Sequence, residues 1–380
     1  MLKVNRYFLW LLILTQVPMA FSYLYVDPDG ILNLNINLND ALVVHVFCVL
    51  VFIFSYFISS IGKRYISFRN VCSVKYLYFG YILSFLGLVV VVAQVTQSTS
   101  LFAYFSNLLS GADANSREAF MLSSEDGGLP GYLKIFANAP LAIYLYSFYL
   151  YACLKLDSNS LFRVKRLLVF SFVCVVFKTL FSLDRLSLLA IILTYSYLLG
   201  VRGVKARSII FLSLIFVLAN FLSGIRLTGY TLLDFLFLYM KLGLINLQLV
   251  IDGDYELTYG FQTFFHFVTY FDRNIFDFLG LEFQDYEWYW NPALYFTSYG
   301  FLDFGYAVIF IYFILGFFCS WLDRTIAYGN PGLIQSAYFV FLYAFASFFT
   351  VPAIRGVEFI LALLICFFMT KITVRKGSIC

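Results

Sequence analysis

Ten apolar stretches, at about 7–26, 41–60, 76–96, 134–154, 167–183, 187–201, 208–223, 306–322, 333–352 and 357–370, constrain this 380-residue chain more than any other feature. A hydrocarbon core about 30 Å thick takes roughly 20 residues of helix, and fewer where flanking residues adapt. Backbone groups in lipid must find partners within their own segment, which leaves a helical bundle. The expected fold is therefore all-α and polytopic, a single integral membrane domain over 1–380. The basic residues orient it. With the N-terminus inside, seventeen of the 25 Lys and Arg fall on the cytoplasmic side, from Lys3 and Arg6 to Lys371, Arg375 and Lys376. Only Asp157 and Asp323 stand beside them. That bias predicts ten spans with both termini cytoplasmic. The exceptions are Arg117, Lys134, Lys178, Arg185, Arg226, Lys241, Arg273 and Arg355, which fall on the side the rule disfavours.

The chain is 62% hydrophobic and 12% charged, outside the soluble range. Its net charge of +4 is no nucleic-acid signal, because the surplus sits in short inner loops. No zinc-ligand spacing or phosphate-binding glycine loop is present, and neither a metal nor a cofactor is expected. The seven cysteines all fall in spans or on the inner side, which argues against disulfides. Lys3 and Arg6 before an apolar run ending at Ala20, Phe21 and Ser22 echo a signal peptide. The run is too long for one and nine more follow, so an uncleaved first helix is expected.

Two outer segments are long. The first, 97–131, has the Gly, Pro and Asp clusters of an ordered loop. The second, 224–305, is apolar in two places, 231–251 and 261–281. These would add two spans in a twelve-span alternative. The connection between them carries Asp252, Asp254 and Glu256 but no Lys or Arg, unlike an inner loop. Both are therefore expected to be amphipathic helices on the outer interface.

Arg185 lies in a tight outer hairpin, Arg226 follows the seventh span, Arg355 separates the last two spans, and Arg117 is in the first long loop. Each alone reads as an anchor. Together, at one depth on the disfavoured side, they point to an anionic ligand, since a guanidinium donates two parallel hydrogen bonds to phosphate and never loses its charge. Asp303, just before the eighth span, reads either as a helix N-cap or first-turn acid favoured by the macrodipole or as a general base in a partly desolvated place. His266 is the outer histidine and reads as a second base or a structural ring. Tyr286, Trp288, Tyr289 and Trp290 read as an interfacial belt or a platform for sugar rings.

The run Asn291, Phe296, Thr297, Gly300, Asp303, Gly305, Leu315 and Gly316, with its spacing, resembles the oligosaccharide repeat-unit polymerases, the Wzy-type O-antigen and capsule polymerases. Arg185 and Arg226 add to the resemblance, which covers most of the chain in architecture. A paired arginine-to-glycine motif known in some members is met only at Arg117 and Gly128 and is not carried over. The resemblance implies a GT-C-like bundle in a bacterial inner membrane with a large periplasmic loop. It implies a metal-independent glycosyltransferase that moves a growing glycan from undecaprenyl pyrophosphate to a new lipid-linked unit. Arg185, Arg226, Arg355 and Arg117 would hold the pyrophosphate, Tyr295 would contact the glycan, and Asp303 or His266 would take the acceptor's proton. Membrane lipids and a chain-length regulator would be partners. An O-antigen ligase shares this logic with a different acceptor. A flippase is the alternative from another class.

Overall fold

The computed structural model describes residues 6–25, 36–60, 72–98, 100, 102–104, 106, 131–182, 185–202, 209–217, 220, 232–253, 255–263, 295–327, 332–349, 354 and 356–376. The main helices are α1 (Tyr7–Phe21), α2 (Asn39–Ser60), α3 (Tyr78–Ser98), α4 (Ala139–Cys153), α5 (Ser158–Ser182), α6 (Arg185–Arg202), α7 (Leu232–Asp252), α8 (Phe296–Phe304), α9 (Val308–Ala327), α10 (Tyr338–Ala346) and α11 (Val357–Thr373). Two short strands, β1 (Cys72–Val74) and β2 (Val374–Lys376), form an antiparallel ladder. Among the described residues five stretches, Tyr7–Leu24, Asn39–Ser59, Tyr78–Gln97, Ile135–Cys153 and Phe296–Ile326, are helical, long and apolar enough to cross a membrane. The chain is an all-α membrane protein.

Chain contacts divide it into two compact units, Met1–Ile66 with Leu233–Ala327 and Ala344–Phe359, and Ser67–Leu232 with Tyr328–Tyr343 and Ile360–Cys380. In the first unit α2 and α9 pack along one another most extensively. Gly316 makes this approach possible: a Cβ there would meet the Ser55 hydroxyl and stand 2.5 Å from the Phe52 carbonyl oxygen. Phe8 and Phe52 meet Phe345 at 5.6 and 5.3 Å between ring centres, and Phe348 extends the cluster to Phe296. Helix ends in a membrane leave backbone groups that water cannot satisfy, and both the start of α1 and the end of the 3-10 turn after it (Ser22–Leu24) borrow partners. The Phe8 N–H donates to Asp323 at 3.2 Å, and Lys241 donates to the carbonyl of Tyr25 at 2.6 Å. Asp323 also accepts the Tyr56 hydroxyl at 2.6 Å. Beside it, Arg324 donates to Ser59 at 2.6 Å. These two charges are thus buried in a knot that joins α1, α2 and α9.

In the second unit α3, α4 and α5 pack mutually. Tyr144 pairs with Thr194 across α4 and α6, and the Tyr146 hydroxyl meets Thr373 of α11 at 2.5 Å. α5 starts nine residues before the predicted span at 167. Asp157 is the reason, because its carboxylate accepts the Ser160 N–H at 2.7 Å and the Ser160 hydroxyl at 2.9 Å, an N-cap arrangement. The helix therefore carries Arg163, Lys165 and Arg166 as exposed residues of its first turns.

Other predicted spans are interrupted. The segment at 134–154 opens with a helical turn (Gly131–Lys134) and a 3-10 turn (Ile135–Asn138) before α4, whose first turn contains Pro140. The segment at 333–352 is a turn, α10 and a 3-10 end. The eighth begins at Val308 after a 3-10 turn.

α7 departs from the expected amphipathic helix. From Leu238 to Val250 it is buried all round, with Lys241 and Leu249 only partly covered. The polar residues that make it look amphipathic are spent inside: Lys241 on Tyr25, and Gln248 on the Ala41 N–H at 2.9 Å and on Asp252 at 2.8 Å. α7 thereby ties the segment just after α1 to the start of α2. The other expected amphipathic helix, 261–281, opens as part of the turn Tyr259–Thr263, and the rest lies outside the described residues.

Candidate functional site

α8 is a nine-residue helix separated from α9 by Gly305, whose φ of +55° belongs to a region that side chains disfavour. This break puts Asp303 in the last turn of α8, not at the start of a span. A carboxylate at a helix C-terminus meets the negative end of the macrodipole and needs donors to hold it. It has three. One oxygen accepts the Thr258 hydroxyl at 2.7 Å and the Gln262 N–H at 2.9 Å, and the other accepts the Thr263 N–H at 2.8 Å. The Asp303 carbonyl also accepts the Tyr259 N–H at 3.0 Å. Residues 258–263 are thus wound onto the end of α8. Tyr259 is held there at φ +51°, a conformation costing a non-glycine residue about 1 kcal/mol or more, with its ring exposed.

Expected as a general base, Asp303 is fully buried with both oxygens engaged by the chain. Its role in this structure is to position the loop. The strap it holds is the entry to 264–294, the part of the large loop that contains His266.

Tyr295 stands at the other end of α8, and it too differs from the expectation of a glycan contact. It is fully buried, with its hydroxyl 3.4 Å from Nδ1 of His45 and the two rings edge to face. Nε2 of His45 lies 3.0 Å from the Gln16 carbonyl oxygen, which can only accept. Nε2 therefore carries the proton, and Nδ1 is left to accept from Tyr295. Gly243 of α7 packs against the Tyr295 ring and Met19. One internal polar chain thus runs from α1 through α2 to the start of α8. His45 is absent from the expected site residues, although a lone ionisable group inside an apolar span is itself a signal.

Arg185 is the first residue of α6, at the tip of the α5–α6 hairpin as expected. One turn from the end of α5, Lys178 is buried and donates to Ser187 at 3.1 Å, across that hairpin. Arg117, Arg226, His266 and Arg355, with the aromatic run 286–290, lie outside the described residues. No protein-family model, curated protein or solved structure matches the chain.

Proposed function

We propose that the chain is a membrane glycosyltransferase that polymerises lipid-linked oligosaccharide repeat units at the outer face of a bacterial inner membrane. The observation that carries this reading is the run from Asn291 to Gly316, taken together with the outer-side arginines. The residues of that run make physical sense as one unit. Phe296 stacks on Phe348 at 4.1 Å, Thr297 bonds Tyr312 at 2.7 Å, and Gly300 leaves room for Val308. Asp303 anchors the strap, Gly305 turns the chain and Gly316 admits α2. The run is a scaffold for the corner from which the large loop is hung.

In this reading Arg185 and Arg226, with Arg355 and Arg117, bind the pyrophosphate of the donor. Pyrophosphate is a good leaving group, and guanidinium groups fixed near it stabilise the charge that develops as the glycan departs. The acceptor hydroxyl attacks the anomeric carbon, its proton passes to a base, and polyprenyl pyrophosphate leaves. With Asp303 occupied as an anchor, His266 is the side chain assigned to that proton. The bundle has ten spans, a GT-C-like arrangement and cytoplasmic termini.

The test is the lipopolysaccharide ladder of a producing strain lacking this chain. Loss of the ladder with one repeat unit left on the core supports a polymerase. Bare core with accumulated lipid-linked polymer means a ligase, and an unchanged ladder removes the assignment.

A further inference from the structure

At one end of the second unit three segments distant in sequence are laced into a single surface. β1 pairs with β2, with Cys72 opposite Lys376 and Val74 opposite Val374. The Cys72 N–H donates to the Lys155 carbonyl at 2.9 Å, and Leu156 bridges Cys72 on the open side of β1. The Lys75 N–H donates to Thr373 at 2.9 Å, and the Val74 N–H to the Ser160 hydroxyl at 2.9 Å. The outcome is that Lys75, Lys155, Arg163, Lys165, Arg166 and Lys371 are exposed at the same end.

Among the described residues of 72–77, 154–166 and 371–376, Asp157 is the one carboxylate, and its oxygens are taken by Ser160. Aromatic rings flank the cations. Arg166 lies over Phe162 at 4.2 Å, Lys165 over Tyr151 at 6.0 Å, and Tyr76 and Tyr78 stand exposed beside Lys75. Tyr76 is held at φ +54° just after β1.

We propose that this surface is a binding site for the head groups of anionic phospholipids in the leaflet it meets. Orientation alone requires basic loops but does not require them to be bonded into one rigid patch. Like charges held together repel one another, and the surface is stabilised by whatever anions share its depth. At the ends of membrane-crossing helices those anions are lipid phosphates, and rings at head-group level complete the fit. This site does not depend on the proposed reaction.

The test uses the purified full chain in detergent, titrated with phosphatidylglycerol or phosphatidylcholine. Lipid retention is followed by native mass spectrometry and stability by thermal unfolding. Phosphatidylglycerol is expected to be retained selectively and to raise the melting temperature, with both effects fading in high salt. Each charge removed, by Arg163→Gln, Arg166→Gln or Lys75→Gln, is expected to weaken retention about 5-fold. The salt response of the unaltered chain serves where a variant fails to fold. Equal retention of the two lipids, or variants that hold phosphatidylglycerol as well as the parent, would overturn the proposal. So would capture of polyglutamate without any lipid preference, which would give the surface to an acidic protein partner.

Discussion

The carboxylate of Asp303 accepts the backbone N–H of Thr263 at 2.8 Å, so the end of a short buried helix holds a loop forty residues earlier in the chain. An amide at this position keeps one accepting oxygen and turns an NH₂ toward backbone donors. Asp303→Asn is therefore expected to destabilise the protein, although Asn caps helices well elsewhere. One buried N–H would go unsatisfied, at a cost of about 1–3 kcal/mol. Thr258→Val, which removes a donor and leaves the carboxylate its two amides, is expected to cost about 1.5–3 kcal/mol. Unfolding in detergent reads both, and parental stability in Asp303→Asn would rule out the anchoring role.

The second prediction concerns Asp323, which joins Phe8 and Tyr56. Tyr56→Phe removes one hydrogen bond to a charge and is expected to cost about 1.5–3 kcal/mol. Asp323→Ala leaves both the Phe8 N–H and the Tyr56 hydroxyl without this acceptor, and the expected loss is larger, on the order of 2–6 kcal/mol at about 1–3 for each group. In the Asp323→Ala background, adding Tyr56→Phe is expected to cost almost nothing. A double-mutant cycle with additive losses would show that the two groups are not coupled.

How much of this was legible beforehand follows from the range of each interaction. Apolar runs near 20 residues marked where helices lie, because hydrophobicity is summed locally. The interruptions at Pro140 and Gly305 were harder to read, since each is a single residue inside an apolar run and summed hydrophobicity does not register it. Asp323 and Phe8 are 315 residues apart, and no local pattern announces such a pair. α7 misled for a related reason. Lys241 and Gln248 look like a solvent face until Tyr25 and Ala41 are seen to receive them. His45 sits between Val44 and Val46 and reads as core until Tyr295 arrives from 250 residues away. In the candidate site the hairpin position of Arg185 was readable from charge and spacing. The use of Asp303 was not, because its donors lie on a loop whose path no periodicity describes.

The third prediction tests the close approach of α2 and α9. Gly316→Ala places a methyl against the Phe52 carbonyl and the Ser55 hydroxyl, and neither backbone can yield without parting the helices. Overpacking of this kind is expected to cost about 1–3 kcal/mol, and Gly316→Leu more. Ser55→Gly frees only the side-chain half of the clash, so it is expected to rescue Gly316→Ala in part. Equal melting temperatures for Gly316→Ala and the parent would contradict the packing.

The fourth prediction is a pH dependence. The Ser160 N–H and hydroxyl, aided by the charge of Arg163, favour the ionised Asp157 and hold its pKa below the ordinary carboxylate value, against a smaller opposing effect of burial. A depressed folded-state pKa means that this contribution is fully present above the unfolded-state value of about 4 and is lost as pH falls through the folded one. Asp157→Asn cannot titrate. Its stability deficit relative to the parent is therefore expected to be constant near neutrality and to shrink below about pH 4. A deficit that stays the same down to pH 3 would mean that the cap carries no charge-dependent stabilisation.

The last prediction bears on the proposed reaction itself. Arg185 opens α6 at the tip of a hairpin, and Arg226 follows a predicted span on the same side. If either only anchors the chain at the membrane boundary, a lysine serves equally, because it keeps the charge and has the reach. If they hold pyrophosphate, the planar fork matters, and a lysine, which cannot make two parallel bonds, fails almost as badly as alanine. Losing one charge-assisted bidentate contact costs on the order of 2–4 kcal/mol, roughly 30- to 1000-fold in rate. Arg185→Lys and Arg226→Lys are thus expected to shorten or abolish the polymer ladder while the protein accumulates to its usual level in the membrane. Chains of normal length from both lysine variants, at matched protein level, would reduce these arginines to topological anchors and remove the strongest chemical support for a pyrophosphate donor.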